Sequence, residues 1–171
     1  EQNALKDVNE TVPRGFISDQ VEQAVSRKAN AVKLDASFDV VVVADTLVED
    51  PDDAREALGK PRSKEEAVGM LLRLRGSRHR VWSATMVHAF GQWKTTVEYA
   101  LVEVEDFSDD VLVELIESDS WVGKAGAYDL AGMMGEYAKL VEGSETTVLG
   151  FTQASLQYLG ELQSLFSMSR S

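Results

Sequence analysis

The run Phe38-Asp39-Val40-Val41-Val42-Val43-Ala44 constrains this chain more than any other stretch. Four consecutive valines carry no helical period, and β-branched side chains, stiff at χ1, pack well on a pleated surface. A continuous apolar run this short suits a strand covered on both faces, as a central parallel strand is. The run stops at Asp45-Thr46. A carboxylate just past the end of a buried strand stands where open α/β sheets place their ligands. Asp45 is therefore the first candidate site residue, positioned to hold Mg2+ or Mn2+ or to orient a water for attack on a phosphate. The plain alternative is an aspartate that turns the chain.

The segments around this strand read as an alternation of helices and strands. Residues 1–17 are polar and irregular, with Pro13 and Gly15 marking a turn. Ser18 or Asp19 is expected to cap a helix with Val21, Val25, Ala29 and Val32 at helical spacing. Glu49 to Pro61 reads as an acidic loop closing on Gly59-Lys60-Pro61. Ser63 and Glu66 form a capping-box pair, followed by a helix with Ala67, Met70, Leu71 and Leu74 on one face and Gly76 at its end. Val81 to Phe90 and Trp93 to Val104 are two long strands, and Gly91-Gln92 between them suits a type II′ hairpin. Ser108 or Asp109 opens a short helix with Val111, Leu112, Leu115 and Ile116 inward. A Gly- and Ala-rich stretch, Gly123 to Tyr128, precedes a strand from Tyr137 to Glu142 ended by Gly143. The last segment, about Thr152 to Phe166, is a helix with Leu156, Leu159, Leu162 and Phe166 facing in. The class is α/β, a mixed twisted sheet flanked by helices.

Composition excludes several functions. The net charge of −12 opposes duplex nucleic acid, which is held by clustered lysine and arginine. A small anion can still be bound by a few local cations and backbone N–H groups. No apolar run approaches the roughly 18 residues of a membrane span, and no secretory signal is present. The absence of cysteine removes disulfides, thiolate zinc sites and thiol catalysis, so a cytoplasmic location is expected. At 171 residues the chain is one domain's worth. It begins with Glu1 rather than methionine, which is read as trimming or an omitted N-terminal stretch.

Three lysines stand in informative places. Lys28 lies among the apolar positions of its helix, where it either snorkels to water or aims a charge at something. Lys60 sits in a tight Gly-Lys-Pro loop that fixes a cation or simply turns the chain. Lys124 has small neighbours that let a bulky ligand approach the backbone, or that pack closely on the sheet. His79 and His88 are too few and too isolated for a zinc site and read as structural. Neither a Walker A loop nor a dinucleotide fingerprint is present.

Taken in order, these segments resemble the Maf family of nucleotide pyrophosphatases across nearly the whole chain. Asp7-Val8-Asn9-Glu10-Thr11 resembles that family's D-x-x-E-[ST], and Lys28-Ala29 with Ala31-Val32 resembles its A-R-x-K-A helix. Val43-Ala44-Asp45-Thr46 resembles G-A-D-T, and Leu58-Gly59-Lys60-Pro61 resembles L-G-K-P. Ala67 through Gly76 to His79-Arg80-Val81 is similar to A-x-x-M-L-x-x-L-x-G-x-x-H-x-V. Lys124 to Tyr128 resembles D-K-A-G-A-Y, and Gly143 through Gly150 resembles the closing G-D-Y-S-N-V-V-G.

The resemblance implies one Maf-like domain over residues 1–171, with a fold like that of inosine triphosphate pyrophosphatase and a cleft between two lobes. It implies hydrolysis of a nucleoside triphosphate, pyrimidine or modified, to the monophosphate and pyrophosphate with Mg2+ or Mn2+. Asp45 and Glu10 would serve at the metal and the attacking water. Lys60 and Lys28 would neutralise the triphosphate, with Lys124 and Thr46 lining the same cleft. A homodimer is expected on the same ground. The departures are specific. The family's opening strand and S-x-S-P-R-R loop have no counterpart here. Ser26, Gly123 and Ala131 stand where the family has Arg, Asp and Gln, and Ser144-Glu145-Thr146-Thr147 replaces D-Y-S-N. Losing an acid and an amide is expected to weaken catalysis or shift specificity, unless Asp129 or Asp119 supplies the carboxylate. The alternative is a nucleotide-binding or regulatory protein of the same fold with weak or no turnover.

Overall fold

The computed structural model describes residues 15–37 and 40–170. Its elements are α1 (Ile17–Ala31), β1 (Val41–Asp50), β2 (Asp53–Leu58), α2 (Lys64–Leu74), β3 (Arg78–Ala89), β4 (Gln92–Val104), α3 (Asp109–Glu117), β5 (Ala138–Glu142), α4 (Glu145–Leu149) and α5 (Gln153–Ser169). The five strands form one sheet in the order β2-β1-β3-β4-β5. The α/β class holds, but every pairing among the described residues is antiparallel, so the expected parallel partner for the valine run is not there.

That run also does not stop where it was expected to. β1 continues through Asp45-Thr46 to Asp50, and Asp45 pairs with Ala84 in mid-strand. The acidic stretch behind it is a hairpin rather than a loop. β2 is polar because it is an exposed sheet edge, and the turn is held by the Asp50 carboxylate, which accepts from Asp52 N–H at 2.9 Å. Arg73 of α2 also reaches the buried Asp50, at 2.6 Å, and fixes the hairpin against the helix. The β3–β4 turn is shifted by one residue from expectation. Ala89 pairs with Gln92, leaving Phe90-Gly91 as the loop, with φ of 51° and 77°. Positive φ at both positions is type I′, whose twist matches the strands it joins.

Period-2 alternation gives β1 two different faces. Val43 and Leu47 meet Val21 and Val25 of α1, whose buried positions Ile17, Val21, Val25 and Ala29 recur every fourth residue. Helix α1 begins at Ile17 with no side-chain cap, not at Ser18 or Asp19, because burying Ile17 extends that stripe by a turn. On the opposite face Val48, Val81 and Val102 pack with Leu71 and Leu74 of α2 and Leu115 and Ile116 of α3. Both helices start as read: Ser63 accepts from Glu66 N–H and Ser108 from Val111 N–H. Glu66 completes only half of its box, since its carboxylate accepts from Arg62 N–H instead of Ser63. Farther along that face, Val87 and Ala89 meet Leu162 of α5. Leu156, expected inward, is 40% exposed, while Leu159 and Phe166 are half-buried.

Between these two apolar regions lies a buried polar belt. Ser83 donates to Thr147 O at 2.7 Å, and Thr85 Oγ1 accepts from Thr152 N–H at 3.2 Å. Glu98 accepts from Gln153 N–H and Ala154 N–H, placing an anion on the first turn of α5. The belt satisfies the backbone of the α4–α5 junction and docks it on the sheet. Helix α4 itself had no sequence signal beyond the Gly143 and Gly150 that bracket it. No helix among the described residues is long and apolar enough to cross a membrane.

Gly143 ends β5 at φ +91°, and an added Cβ would lie 2.8 Å from Tyr99 O and 2.9 Å from Ala100 Cα. Gly143→Ala is therefore expected to lower unfolding free energy by about 2–3 kcal/mol in urea titration. Gly160→Ala, inside α5 with open space around it, is expected to raise stability by about 0.5–1 kcal/mol in the same assay.

Candidate functional site

Strand β3 runs alongside β1 from Val41 to Val48, but β2 joins β1 only from Val48 onward. The other edge of residues 41–47 is thus open among the described residues, and a cleft of about 370 Å³ wraps around it. Ala44, Asp45, Thr46 and Val48 form its floor. Lys60, Lys124, Asp129 and Gly150 line the rest of it.

Asp45 and Lys28 hold that open edge together. Lys28 Nζ donates to Asp45 Oδ1 and to Ala44 O, both at 2.9 Å, and Thr46 N–H donates to the same Oδ1 at 3.2 Å. Lys28 therefore aims its charge inward and does not snorkel. All of these bonds fall on Oδ1, so Oδ2 of Asp45 has no protein donor among the described residues. Asp129 differs: Oδ1 accepts from Ala131 N–H at 3.0 Å and Oδ2 from Lys124 Nζ at 3.0 Å. Lys60 is exposed on its loop, with no ion pair among the described residues.

Thr46 contributes less than its position suggests. Ser83 gives its one hydroxyl proton to Thr147 O, so in the 2.8 Å contact between the two hydroxyls Thr46 must donate to Ser83. With its proton committed, the Thr46 hydroxyl has only lone pairs to offer an anion.

The loops carrying Lys60 and Lys124 are joined. Gly126 N–H donates to Gly59 O at 3.0 Å, and Gly126 lies so close to Val48 that a Cβ would meet Val48 Cγ1 at 3.0 Å. Gly126 and Ala127 both have left-handed φ, 68° and 64°. For Gly126 that is free; for Ala127 it costs about 1–2 kcal/mol and persists only where neighbours impose it. The next residue supplies one such neighbour. The Tyr128 hydroxyl is hydrogen-bonded to His79 Nε2 at 2.7 Å, with the rings edge-on at 5.4 Å. Burial pushes the Tyr128 phenol up, helped by the Asp129 charge, and pushes His79 down to about 4, so both are neutral. His79 Nδ1 is buried without a partner among the described residues, which costs about 1–3 kcal/mol, at least what one net hydrogen bond returns.

Of the residues singled out from sequence, Asp45, Thr46, Lys60 and Lys124 line one cleft, and Lys28 reaches it through Asp45. Glu10 lies outside the described residues. Asp129, not Asp119, brings a second carboxylate to the cleft. The tie between His79 and Tyr128 was missed. A lone histidine on a strand carries no signal of a partner 49 residues away.

The profile of the family "Maf-like protein" matches residues 2–161. A dTTP/UTP pyrophosphatase of Hahella chejuensis is 33% identical over 151 residues, covering 86% of this chain and 74% of that protein. One from a Ruegeria species is 33% identical over 86% of this chain and 75% of its own length, and one from Desulforamulus reducens is 31% identical over 89% and 80%.

Burial of neutral His79 makes a pH prediction. Its folded pKa, about 4, lies below the ordinary value near 6.5, so between these values the unfolded chain binds more protons. Its contribution is complete above pH 6.5 and is lost as pH falls toward 4, at up to about 1.4 kcal/mol per pH unit. Urea titrations at pH 7.5 and 5 are expected to show a smaller drop for His79→Leu than for the natural protein.

Proposed function

Because this chain belongs to the Maf-like protein family, we propose that it hydrolyses a nucleoside triphosphate to the monophosphate and pyrophosphate. One observation carries the reading: the Asp45 carboxylate shares a cleft with Lys60 and Lys124 while Lys28 holds its Oδ1. In this reaction water attacks the α-phosphorus, the bond from that phosphorus to the bridging oxygen breaks, and pyrophosphate leaves with that oxygen. The protein must cancel charge on the non-bridging oxygens and hold the water in line. Lys60 and Lys124 supply the cations. Asp45, oriented by Lys28, accepts the water's hydrogen bond.

A divalent ion fits the donor set. Asp45 Oδ2, which accepts from no described residue, would with phosphate oxygens and water make a set of oxygen ligands that Mg2+ or Mn2+ takes readily. No three carboxylates or histidines among the described residues are grouped so as to hold a metal ion, so the protein's share of the ligands there is small, with Glu10 as the further candidate. Bound there, the ion would neutralise the phosphates and lower the pKa of the water.

The relatives named for dTTP and UTP support a pyrimidine substrate. Gly123 and Ala131, both lining the cleft where the family carries an acid and an amide, support the second reading, nucleotide binding with weak turnover. A cytoplasmic homodimer is proposed on family resemblance, and light scattering in solution tests the dimer.

Pyrophosphate release from UTP, dTTP and the purine triphosphates, with Mg2+ and with Mn2+, tests the activity. Release from the pyrimidine nucleotides is expected. No release from any of them, accompanied by nucleotide-dependent thermal stabilisation, would select the binding reading. Asp45→Asn is expected to lower kcat by roughly 10²-fold or more, and Lys60→Ala to lower kcat/KM by roughly 10-fold or more.

A further inference from the structure

We propose that His79 is a positioning residue of the cleft, whose hydrogen bond to Tyr128 holds the left-handed Gly126-Ala127 turn that aims Lys124 and, through Gly59, Lys60. The inference rests on the pyrophosphatase reading for its kinetic consequence but not for its structural one.

Three independent observations meet at this pair. The first is the geometry of the bond, a short contact between two buried rings that links β3, at the heart of the sheet, to the cleft wall. The second is the strain it accompanies. Ala127 is a non-glycine residue in the left-handed region, directly before Tyr128, at the end of the 3₁₀ turn Ala125–Ala127 that follows Lys124. Such a conformation relaxes unless both ends are held. On one side Gly126 N–H is bonded to Gly59 O, and on the other the Tyr128 ring is anchored only through its packing and its hydroxyl. The third is the orphaned Nδ1 of His79. A leucine at 79 together with a phenylalanine at 128 would leave no polar atom unpartnered, so the buried pair is not explained by stability. A residue that costs stability where an apolar one would fit is a sign of a requirement elsewhere. Here the bond reaches the wall that carries one cation and is stapled to the loop carrying another.

The positioning claim separates from a structural one through the choice of variants. His79→Leu removes the bond and fills the core. His79→Gln places an amide nitrogen near the position of Nε2 and keeps the bond. Tyr128→Phe removes the same bond from its other end. In each variant we would measure hydrogen–deuterium exchange, thermal midpoint and steady-state kinetics of pyrophosphate release. The expected result for His79→Leu is faster exchange confined to residues 123–131, a thermal midpoint at neutral pH that falls because the buried Tyr128 hydroxyl loses its partner and is regained when Tyr128→Phe is added, and a roughly tenfold lower kcat/KM expressed mainly in KM. Tyr128→Phe is expected to match it, the double variant to be no worse than either, and His79→Gln to restore both exchange and kinetics. Natural exchange at 123–131 in His79→Leu would overturn the inference. So would faster exchange spread over β3 and α2 in both His79 variants, which marks a purely structural histidine. If the natural protein released no pyrophosphate, the functional reading would fail, and the exchange arm would still decide whether His79 holds the loop.

Discussion

The interaction on which the rest depends is the bonding of Lys28 and Asp45 along the edge of β1 that no described strand covers. An open sheet edge presents carbonyl and N–H groups that need partners. Here Lys28 takes the Ala44 carbonyl and Asp45 takes the Thr46 N–H, so a lysine from the neighbouring helix and a carboxylate from the strand itself satisfy part of the edge that no described strand pairs. The same bonds fix the Asp45 carboxylate with one oxygen engaged and one free. Without the open edge there would be no cleft at this point, and without the lysine the edge would carry unpaired groups and an unaimed carboxylate.

Much of this was legible in the sequence, and the failures are instructive. The valine run announced a strand, and the Asp45, Lys60 and Lys124 motifs announced a common site. The reason given for Asp45 was nevertheless wrong. It does not lie beyond a strand end; it lies in mid-strand, and it reaches the cleft because β2 pairs so little of β1. Pairing extent is a tertiary property with no local signature. β2 was missed for a related reason. Asp53-Ala54-Arg55-Glu56 has none of the β-branched or aromatic character of a strand, since an exposed edge needs only backbone bonds and benefits from charge. The hairpin slipped by one residue because Phe90, an aromatic in a left-handed conformation, was read as part of the strand.

Residues far apart in sequence cooperate at the cleft by two different means. The apolar clusters under α2, α3 and α5 hold the helices, but the segments that line the cleft are held chiefly by hydrogen bonds. Ser83, Thr85 and Glu98 secure the α4–α5 junction; Gly59 and His79 secure the turn around Gly126. Directional bonds suit this task better than apolar contact. They define a wall to within a few tenths of an ångström, where methyl groups would tolerate sliding.

The way α5 is attached has its own consequence. Its first turn is bound by Thr152 and by the Glu98 carboxylate, whereas Leu162 is the last fully buried side chain along it. Beyond that residue the half-buried Phe166 stacks on Phe90, and Leu165 is turned to water. Such a helix frays from its carboxyl end, and a protease would nick it there first. The cut would leave the amino-terminal turn, and the cleft wall it supports, intact.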